Sequence, residues 1–417
     1  MSIKMDIRGG IDVGNGYVKG VLRGHDGHID EIDMPSVAAT VIGPPRKPNP
    51  AAEAANVCAD DFYNRADLSF ETSLVDDDFR HVLGTQAMYT DSVDRMEFTT
   101  GKGESKAQQS LGRILLLGAI ASKALRDYVR VEGKLPEDQI EARTLVVVAL
   151  PIDEWYAEEQ SYARELEGRH TVRVRNFDQS VTVVVDIHSA RVMAEGASAI
   201  FSIRDKGEAM SQALLDDTRR MGQPLEGVSA ADIFASRNVL GIDIGEGTVN
   251  FPVYRDGQFD ANNSRTLMLG YGYVLDIVRG ALNGFDTRKD LEVFIQSDPD
   301  PTNRAKHAKV IEEVAVYHSV FATKIVREFE EVLRYTGGSI GAVYGYGGGA
   351  GPMRDVLHKA LIEKADKAQP LGAPPILYPN TDFSRNLNRE GMYSVSKKVA
   401  EQLAATSKST GRGKVAK

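Results

Sequence analysis

The 417-residue chain has one cysteine, Cys58, and one tryptophan, Trp155. A single thiol excludes an intramolecular disulfide and any cysteine-cluster metal site, and it fits a reducing compartment. Cys58 itself reads as a small, partly buried thiol, and Trp155, just after Pro151, as a packing anchor. Long apolar runs are also missing. The longest, around Ile114 to Ala121, is far shorter than the roughly 20 residues of a membrane-spanning helix. The opening residues, Met-Ser-Ile-Lys-Met-Asp-Ile-Arg, lack the apolar stretch of a signal peptide. The expectation is a cytoplasmic protein with no membrane partner. Basic residues are in deficit, 50 Lys plus Arg against 59 Asp plus Glu for a net charge of −9, so the body is not expected to bind DNA directly. No Gly-x4-Gly-Lys-Ser/Thr loop is present, and Gly347-Gly-Gly349 lacks the spacing and early acidic partner of a dinucleotide fingerprint. The eight histidines show no metal-ligand pairing.

What is present is ordinary globular composition, 42% hydrophobic and 26% charged, at a length that predicts two or three domains. An internal echo organises it. Gly10-Ile-Asp-Val-Gly-Asn-Gly16 returns as Gly241-Ile-Asp-Ile-Gly-Glu-Gly247, an offset too long for a solenoid and suited to two related domains. Each copy is an apolar strand ending in Asp, a Gly-x-Gly turn and a return strand, Tyr17–Leu22 in one and Thr248–Tyr254 in the other. Asn15-Gly16 is a strong hairpin signal because both residues tolerate positive φ.

Between and after the two echoes the pattern alternates. The proline- and alanine-rich stretch 43–60 reads as an exposed loop. Strands are expected at Ser69–Leu74, His81–Gly84, Leu145–Leu150 and Val181–Asp186, an amphipathic helix over 105–129, and a helix rich in small residues over Ala190–Ile203. Residues 204–236, highly charged, are expected to link the halves. Thr266–Asn283 carries a Gly270-Tyr-Gly272 turn and an apolar helix. Lys309–Tyr335 reads as a long helix stopped by Gly337-Gly338. Ile340–Tyr346 reads as a strand entering Gly347-Gly-Gly349, followed by a helix from about Pro352 to Lys364. Tyr271, Tyr273, Tyr344 and Tyr346 read as packing residues ahead of base-stacking ones. Pro379–Asp382 reads as a turn, and the basic tail from Ser407 as a flexible end.

Three glycine-rich turns, each directly after an apolar strand, are what a polyphosphate requires, since glycine lets backbone N–H groups approach anionic oxygens. Asp12 and Asp243 occupy equivalent points of the two hairpins. Folding the halves together would set two carboxylates across one cleft, an arrangement suited to Mg²⁺, which binds through carboxylates, waters and phosphate oxygens. Lys19 on the first return strand would reach the β/γ-phosphates as a point charge.

These residues carry a resemblance. Gly10–Lys19 and Gly241–Tyr254 resemble the two phosphate loops of the actin and heat-shock chaperone ATPase superfamily, and Val343-Tyr-Gly-Tyr-Gly-Gly-Gly-Ala350 resembles its adenosine motif. Within it the chain is most similar to the plasmid-segregation actins, the ParM-like proteins. Met34-Pro-Ser-Val-Ala-Ala39, Val148-Ala-Leu-Pro-Ile-Asp153 with Tyr156, Thr266–Leu282 and Asn386–Tyr393 carry that likeness, while 43–100 and 204–236 match weakly. The resemblance implies an α/β, actin-like ATPase fold of two related ribonuclease-H-like domains flanking a nucleotide cleft. Domain I would comprise 1–203 plus 394–417 with the basic tail, a helical linker or insertion 204–236, and domain II 237–393 with the adenosine motif.

It also implies roles. Asp12 and Asp243 would hold Mg²⁺ and its waters. Gly14, Asn15, Gly16, Gly245, Glu246, Gly247 and Thr248 would cradle phosphates, Lys19 would touch the β-phosphate side, and Gly347, Gly348 and Gly349 would border the adenosine. The family places a water-orienting carboxylate on a helix between the loops in a Val-Met-Pro-Glu context, where this chain has Val192-Met-Ala-Glu195; Glu195 is the candidate. Two departures stand out: Asn250 occupies a position where Asp is common, and the distance from Glu195 to Asp243 is long, as an inserted helix at 204–236 would make it. The implied activity is an ATPase, with GTP an alternative nucleotide, that polymerises head to tail and segregates plasmid or prophage DNA through a DNA-binding adaptor. A sugar-type small-molecule kinase would need an acceptor pocket with a catalytic Asp, and a monomeric regulatory ATPase an attached binding domain; neither has a candidate here.

Overall fold

The first glycine turn reverses the chain between two apolar strands, although neither Asn15 nor Gly16 takes a positive φ there. In the computed structural model, which describes residues 2–412 apart from 46, 60, 100–104, 283, 286, 371 and 380, β1 (Ile3–Val13) and β2 (Tyr17–Arg23) pair antiparallel with Asp12 opposite Lys19. Strand β3 (Ile29–Pro35) extends the hairpin. An outer extension follows, built from β4 (Val37–Val41), α1 (Ala54–Ala59), β5 (Asp67–Glu71), β6 (Arg80–Leu83), α2 (Gly84–Tyr89) and β7 (Asp94–Glu97). The expected loop at 43–60 thus ends in a helix, because Ala54 and Cys58 find cover in the core. Burial pushes the Cys58 thiol up to about 12, so it is inert.

Helix α3 (Ser110–Glu132) is buried on nearly all sides from Leu111 to Leu125 rather than amphipathic, because α1 and several strands of the sheet surround it. Its buried Lys123 is paired with Asp127 at 2.8 Å. Then come β8 (Ile140–Leu150), α4 (Ile152–Leu166), β9 (Gly168–Val174) and β10 (Val181–Ala194). The helix expected from Ala190 begins later, as α5 (Ala197–Asp205). Strand β10 runs on to Ala194 because, after a bulge at His188, it pairs in parallel with β8 from Ser189 opposite Leu145 to Ala194 opposite Leu150. That ladder outweighs the helix propensity of the small residues. Gly196 at φ 78° makes the turn.

The segment 204–236 is helical, with α6 (Gly207–Arg220) and α7 (Ala230–Ala235). It is packed onto the second sheet: Leu214 and Leu215 join a core with Tyr344 and Leu377, and the Thr218 hydroxyl donates to the Ile376 carbonyl at 3.1 Å. The second sheet starts with β11 (Val239–Ile244), β12 (Val249–Phe251) and β13 (Val253–Arg255). Pro252 splits the expected single return strand in two, since it has no N–H to donate. Next are β14 (Gln258–Phe259), β15 (Arg265–Leu267), α8 (Tyr271–Leu282), α9 (Arg288–Gln296), α10 (Arg304–Tyr335), β16 (Ala342–Tyr346), α11 (Ala350–Ala368), β17 (Ile376–Leu377), α12 (Thr381–Ser384) and α13 (Leu387–Arg412).

The two sheets repeat one plan. In the first the order β3-β2-β1-β8-β10 joins an antiparallel three-strand meander to two parallel strands, and in the second β14-β13-β11-β16-β17 does the same around β11. Helix α13, whose Leu387 at the start packs with Tyr344 and Leu377, packs against α5, β1, β2 and β8 and seats Met392 against Val147 and Ala149. It continues to Arg412, so the first part of the expected flexible tail is helical; the last residues lie outside the described ones. Among the described residues no helix is long and apolar enough to cross a membrane.

Candidate active site

The two Gly-x-Gly turns are closed in the same way. Gly14 N–H donates to the Tyr17 carbonyl at 3.0 Å, and Gly245 N–H donates to the Thr248 carbonyl at 2.9 Å. They also meet each other reciprocally. A Cβ on Gly16 would collide with the Glu246 carboxylate, and one on Gly247 would collide with the Asn15 amide. The middle side chain of each turn therefore lies on the glycine of the other, as a local two-fold relation demands, and only glycine leaves that space. Ser36 fixes the first turn by donating to the Gly14 carbonyl at 2.6 Å. Arg288, from the start of α9, holds Glu246 at 3.1 Å while pairing with Asp276. Tyr17 bridges the halves, its ring lying 5.0 Å from the Lys289 ammonium of α9 and 5.4 Å from the Arg385 guanidinium.

Behind the turns sit the carboxylates. Burial pushes Asp243 up to about 7; Asn388, donating at 2.8 Å, opposes this, and the charges of Asp12 and Glu195 add to it. Burial also raises Asp12; Lys106 and Lys19 oppose the shift, and Glu195 adds to it. Lys19 donates to the Arg385 carbonyl at 3.1 Å, and burial, with Arg385, lowers its pKa. Gly347, at φ 92°, brings the third glycine turn to 2.5 Å, measured from an added Cβ, of the Asp243 carboxylate.

Glu195 is not on a helix. It stands at the turn between β10 and α5, its N–H donating to the Leu150 carbonyl at 2.7 Å. Its side chain is 12% exposed and forms an ion pair with Lys106, itself 8% exposed. Asn250 donates to its other oxygen at 3.2 Å, and Thr266 donates to the Asn250 carbonyl oxygen at 2.9 Å. Lys106 belongs to no motif, so nothing in the residue pattern marks it. It lies just before α3, where the Glu154 carboxylate accepts from the N–H groups of Lys106 and Ala107, both at 3.1 Å.

Gly348 opens onto a cavity of about 230 Å³ walled by α8, α9 and α10, with Leu275, Ile295 and Val314 among its apolar lining and Glu292 and Gln296 at its polar side. Tyr271 and His318 face it, hydroxyl to Nε2 at 3.0 Å. Burial lowers the pKa of His318. Of the four tyrosines, Tyr346 is buried and donates to the Gly196 carbonyl at 2.7 Å, and Tyr344 is buried in the core. Trp155 anchors α4 as expected, donating to the Val192 carbonyl at 3.1 Å.

Among the described residues no three His, Cys, Asp or Glu side chains are grouped to hold a metal ion by themselves. Mg²⁺ does not need such a cage, since it retains waters and binds through one or two carboxylates plus phosphate oxygens. Asp243 is buried, and the charge of the nearby Asp12 disfavours its ionised form; a divalent cation would satisfy such a pair, so Asp12 and Asp243 fit Mg²⁺.

Residues 10–197 match the family model for the actin like proteins N terminal domain. No curated protein matches the chain by sequence. Among solved structures, the actin-like protein Alp7A is 16% identical over 98% of this chain and all of its own, with a TM-score of 0.64. Bacillus thuringiensis ParM with ATP is 18% identical over 95% of this chain and 99% of its own, at 0.58. The archaeal actin homolog Ta0583 in complex with ADP is 13% identical over 95% and 99%, at 0.56.

Proposed function

We propose that this chain, an actin-like protein by its fold and by the match of its first domain, is a Mg²⁺-dependent ATPase that assembles head to tail into filaments. The reading is carried by one observation: duplicated strand–Asp–Gly-x-Gly hairpins bring Asp12 and Asp243 to one cleft, with both turns in reciprocal contact at its mouth. The phosphates enter between the turns as Asn15 and Glu246 draw apart, so nucleotide binding is coupled to a change in domain angle. Backbone N–H groups of the two turns cradle the phosphates, as glycine-rich turns do. The base occupies the cavity beside Gly348, with ATP favoured and GTP the alternative. Bound Mg²⁺ would offset charge on the phosphoryl oxygens, held through Asp12 and Asp243. Glu195 orients the water whose oxygen attacks the γ-phosphorus while the bond to the bridging oxygen breaks and ADP leaves with the electron pair.

Differential contact with the γ-phosphate would then set which domain angle is populated, and with it the assembly surface. Contacts that do not close into a ring give helical filaments. In the cell such a polymer would segregate plasmid or prophage DNA through a DNA-binding adaptor, since a net charge of −9 argues against direct DNA contact. Right-angle light scattering and pelleting with Mg²⁺ and ATP, GTP or a non-hydrolysable analogue test the reading. Assembly that needs nucleotide, fails in Asp12→Ala and persists without disassembly in Glu195→Ala is the expected result. A protein that hydrolyses nucleotide but stays dispersed at all concentrations defeats the filament part.

A further inference from the structure

Lys106 is a buried cation with no place in the sequence-derived motifs, yet it stands among the carboxylates of the candidate site. Its ammonium pairs with one oxygen of Glu195 while Asn250 donates to the other at 3.2 Å. Lysine comes from the first domain and asparagine from the second, so the carboxylate is gripped from both sides. Each carboxylate oxygen has about two acceptor sites, which leaves each free to accept a water as well. The grip is itself braced. Glu154 fixes the backbone under Lys106 through two N–H bonds at 3.1 Å, and Thr266 fixes Asn250 at 2.9 Å.

The geometry points to Lys106 as a positioning residue for nucleotide hydrolysis: together with Asn250 it sets the orientation of Glu195 when the domains close. This rests on the hydrolytic role proposed for Glu195. A surface lysine would be interchangeable with any polar residue, whereas one desolvated to this degree is kept only by its partners. Burial disfavours its charge, but Glu195 and Asp12 outweigh burial and hold it protonated. The relay from Glu154 through Lys106, Glu195 and Asn250 to Thr266 is continuous and spans the cleft. A shift of the second domain therefore moves Asn250 against a Glu195 tethered to the first, and water-orienting geometry is reached at one domain angle. Misplacement of a reacting group by about 1 Å costs on the order of 100-fold in rate.

The test is steady-state phosphate release by the full chain with Mg²⁺ and ATP, alongside affinity for a fluorescent ATP analogue and melting temperature, for wild type, Lys106→Met, Lys106→Arg, Glu195→Gln and the double variant Lys106→Met/Glu195→Gln. Expected for Lys106→Met is a kcat about 10- to 100-fold lower with KM and analogue affinity changed by less than about twofold. Lys106→Arg recovers at least about threefold of that loss, and the double variant is no slower than Glu195→Gln, because Lys106 acts through Glu195. A Lys106→Met kcat within about twofold of wild type overturns the proposal while leaving the ATPase reading intact. So does a parallel loss of affinity and melting temperature that arginine does not rescue. A wild-type protein that binds the analogue but releases no phosphate overturns both. If Lys106→Met does not fold, Glu154→Gln replaces it: kcat lower by about threefold or more at unchanged affinity is expected, and an unchanged kcat overturns the proposal.

Discussion

Asn250 donates its side-chain amide to Glu195 Oε2 at 3.2 Å, and the same amide donates to the Thr248 hydroxyl at 3.2 Å. Asn250 is therefore the residue that turns a donor toward the candidate catalytic carboxylate. Asn250→Asp keeps an acceptor for Thr266 but sets a second carboxylate against Glu195. A hydrogen bond to a charged group contributes about 1.5–3 kcal/mol, so a kcat lower by about tenfold or more and a reduced melting temperature without nucleotide are expected. Phosphate-release kinetics beside a thermal melt read both.

Asp243 predicts a proton balance. Its carboxyl is pushed up to about 7, against an ordinary value of 3.8, so between those values this group holds its proton more in the folded, nucleotide-free protein than in the unfolded chain. Stability from this group is therefore present at low pH and lost as pH rises across that window. Without Mg²⁺ and nucleotide, the melting temperature of the wild type should fall relative to that of Asp243→Asn between pH 5 and pH 8, since His170, His188, His318 and His358, whose pKa values burial lowers, contribute the opposite slope to both proteins alike. Binding of Mg²⁺ and nucleotide near pH 6.5 should release a proton, visible as a calorimetric enthalpy that depends on the ionisation enthalpy of the buffer. An enthalpy identical in all buffers would remove Asp243 from the cation site.

Reciprocal contact of the two turns predicts that their glycines cannot grow. A Cβ at Gly16 or Gly247 strikes Glu246 or Asn15, the flexible end of a side chain from the other turn, so the fold survives while the methyl takes space between the turns where the phosphates would enter. Gly16→Ala and Gly247→Ala should each melt within a few degrees of wild type and bind nucleotide at least about tenfold more weakly, which is about 1.4 kcal/mol. Normal affinity in both would mean that the phosphates do not enter between these turns.

The cavity beside Gly348 predicts a site that can be blocked from its rim. Ala315 lines it and is exposed, so Ala315→Phe adds bulk without entering the core. Equilibrium binding should weaken by about tenfold or more for ATP and GTP alike, while the melting temperature of the nucleotide-free protein stays level. Unchanged affinity would place the base elsewhere.

Much of the fold was legible because its signals are local. The echo of Gly-Ile-Asp-x-Gly-x-Gly exposed the duplicated hairpins, and the alternation of short apolar runs with periodic segments located β8, α8, α10, β16 and α11 near their observed bounds. Errors fell where partners distant in sequence decide. Ala190–Ala194 is rich in helix-tolerant residues yet is a strand, because β8 offers a parallel ladder to it. Helix α3 was read as one-sided, and strands packing around it bury nearly all of it.

The sequence by itself determined the chemical inventory: glycines after strands, an aspartate at each strand end, and an acidic body, since backbone permissiveness and charge belong to single residues and their neighbours. Only the tertiary structure decided which of these meet. That Asn15 faces Gly247, that Asn388 caps Asp243 at 2.8 Å, and that Lys106 and Asn250 share Glu195 are contacts between segments far apart in the chain. No spacing encodes them, because they arise from how residues distant in the chain are brought together by the two sheets and the segments packed on them.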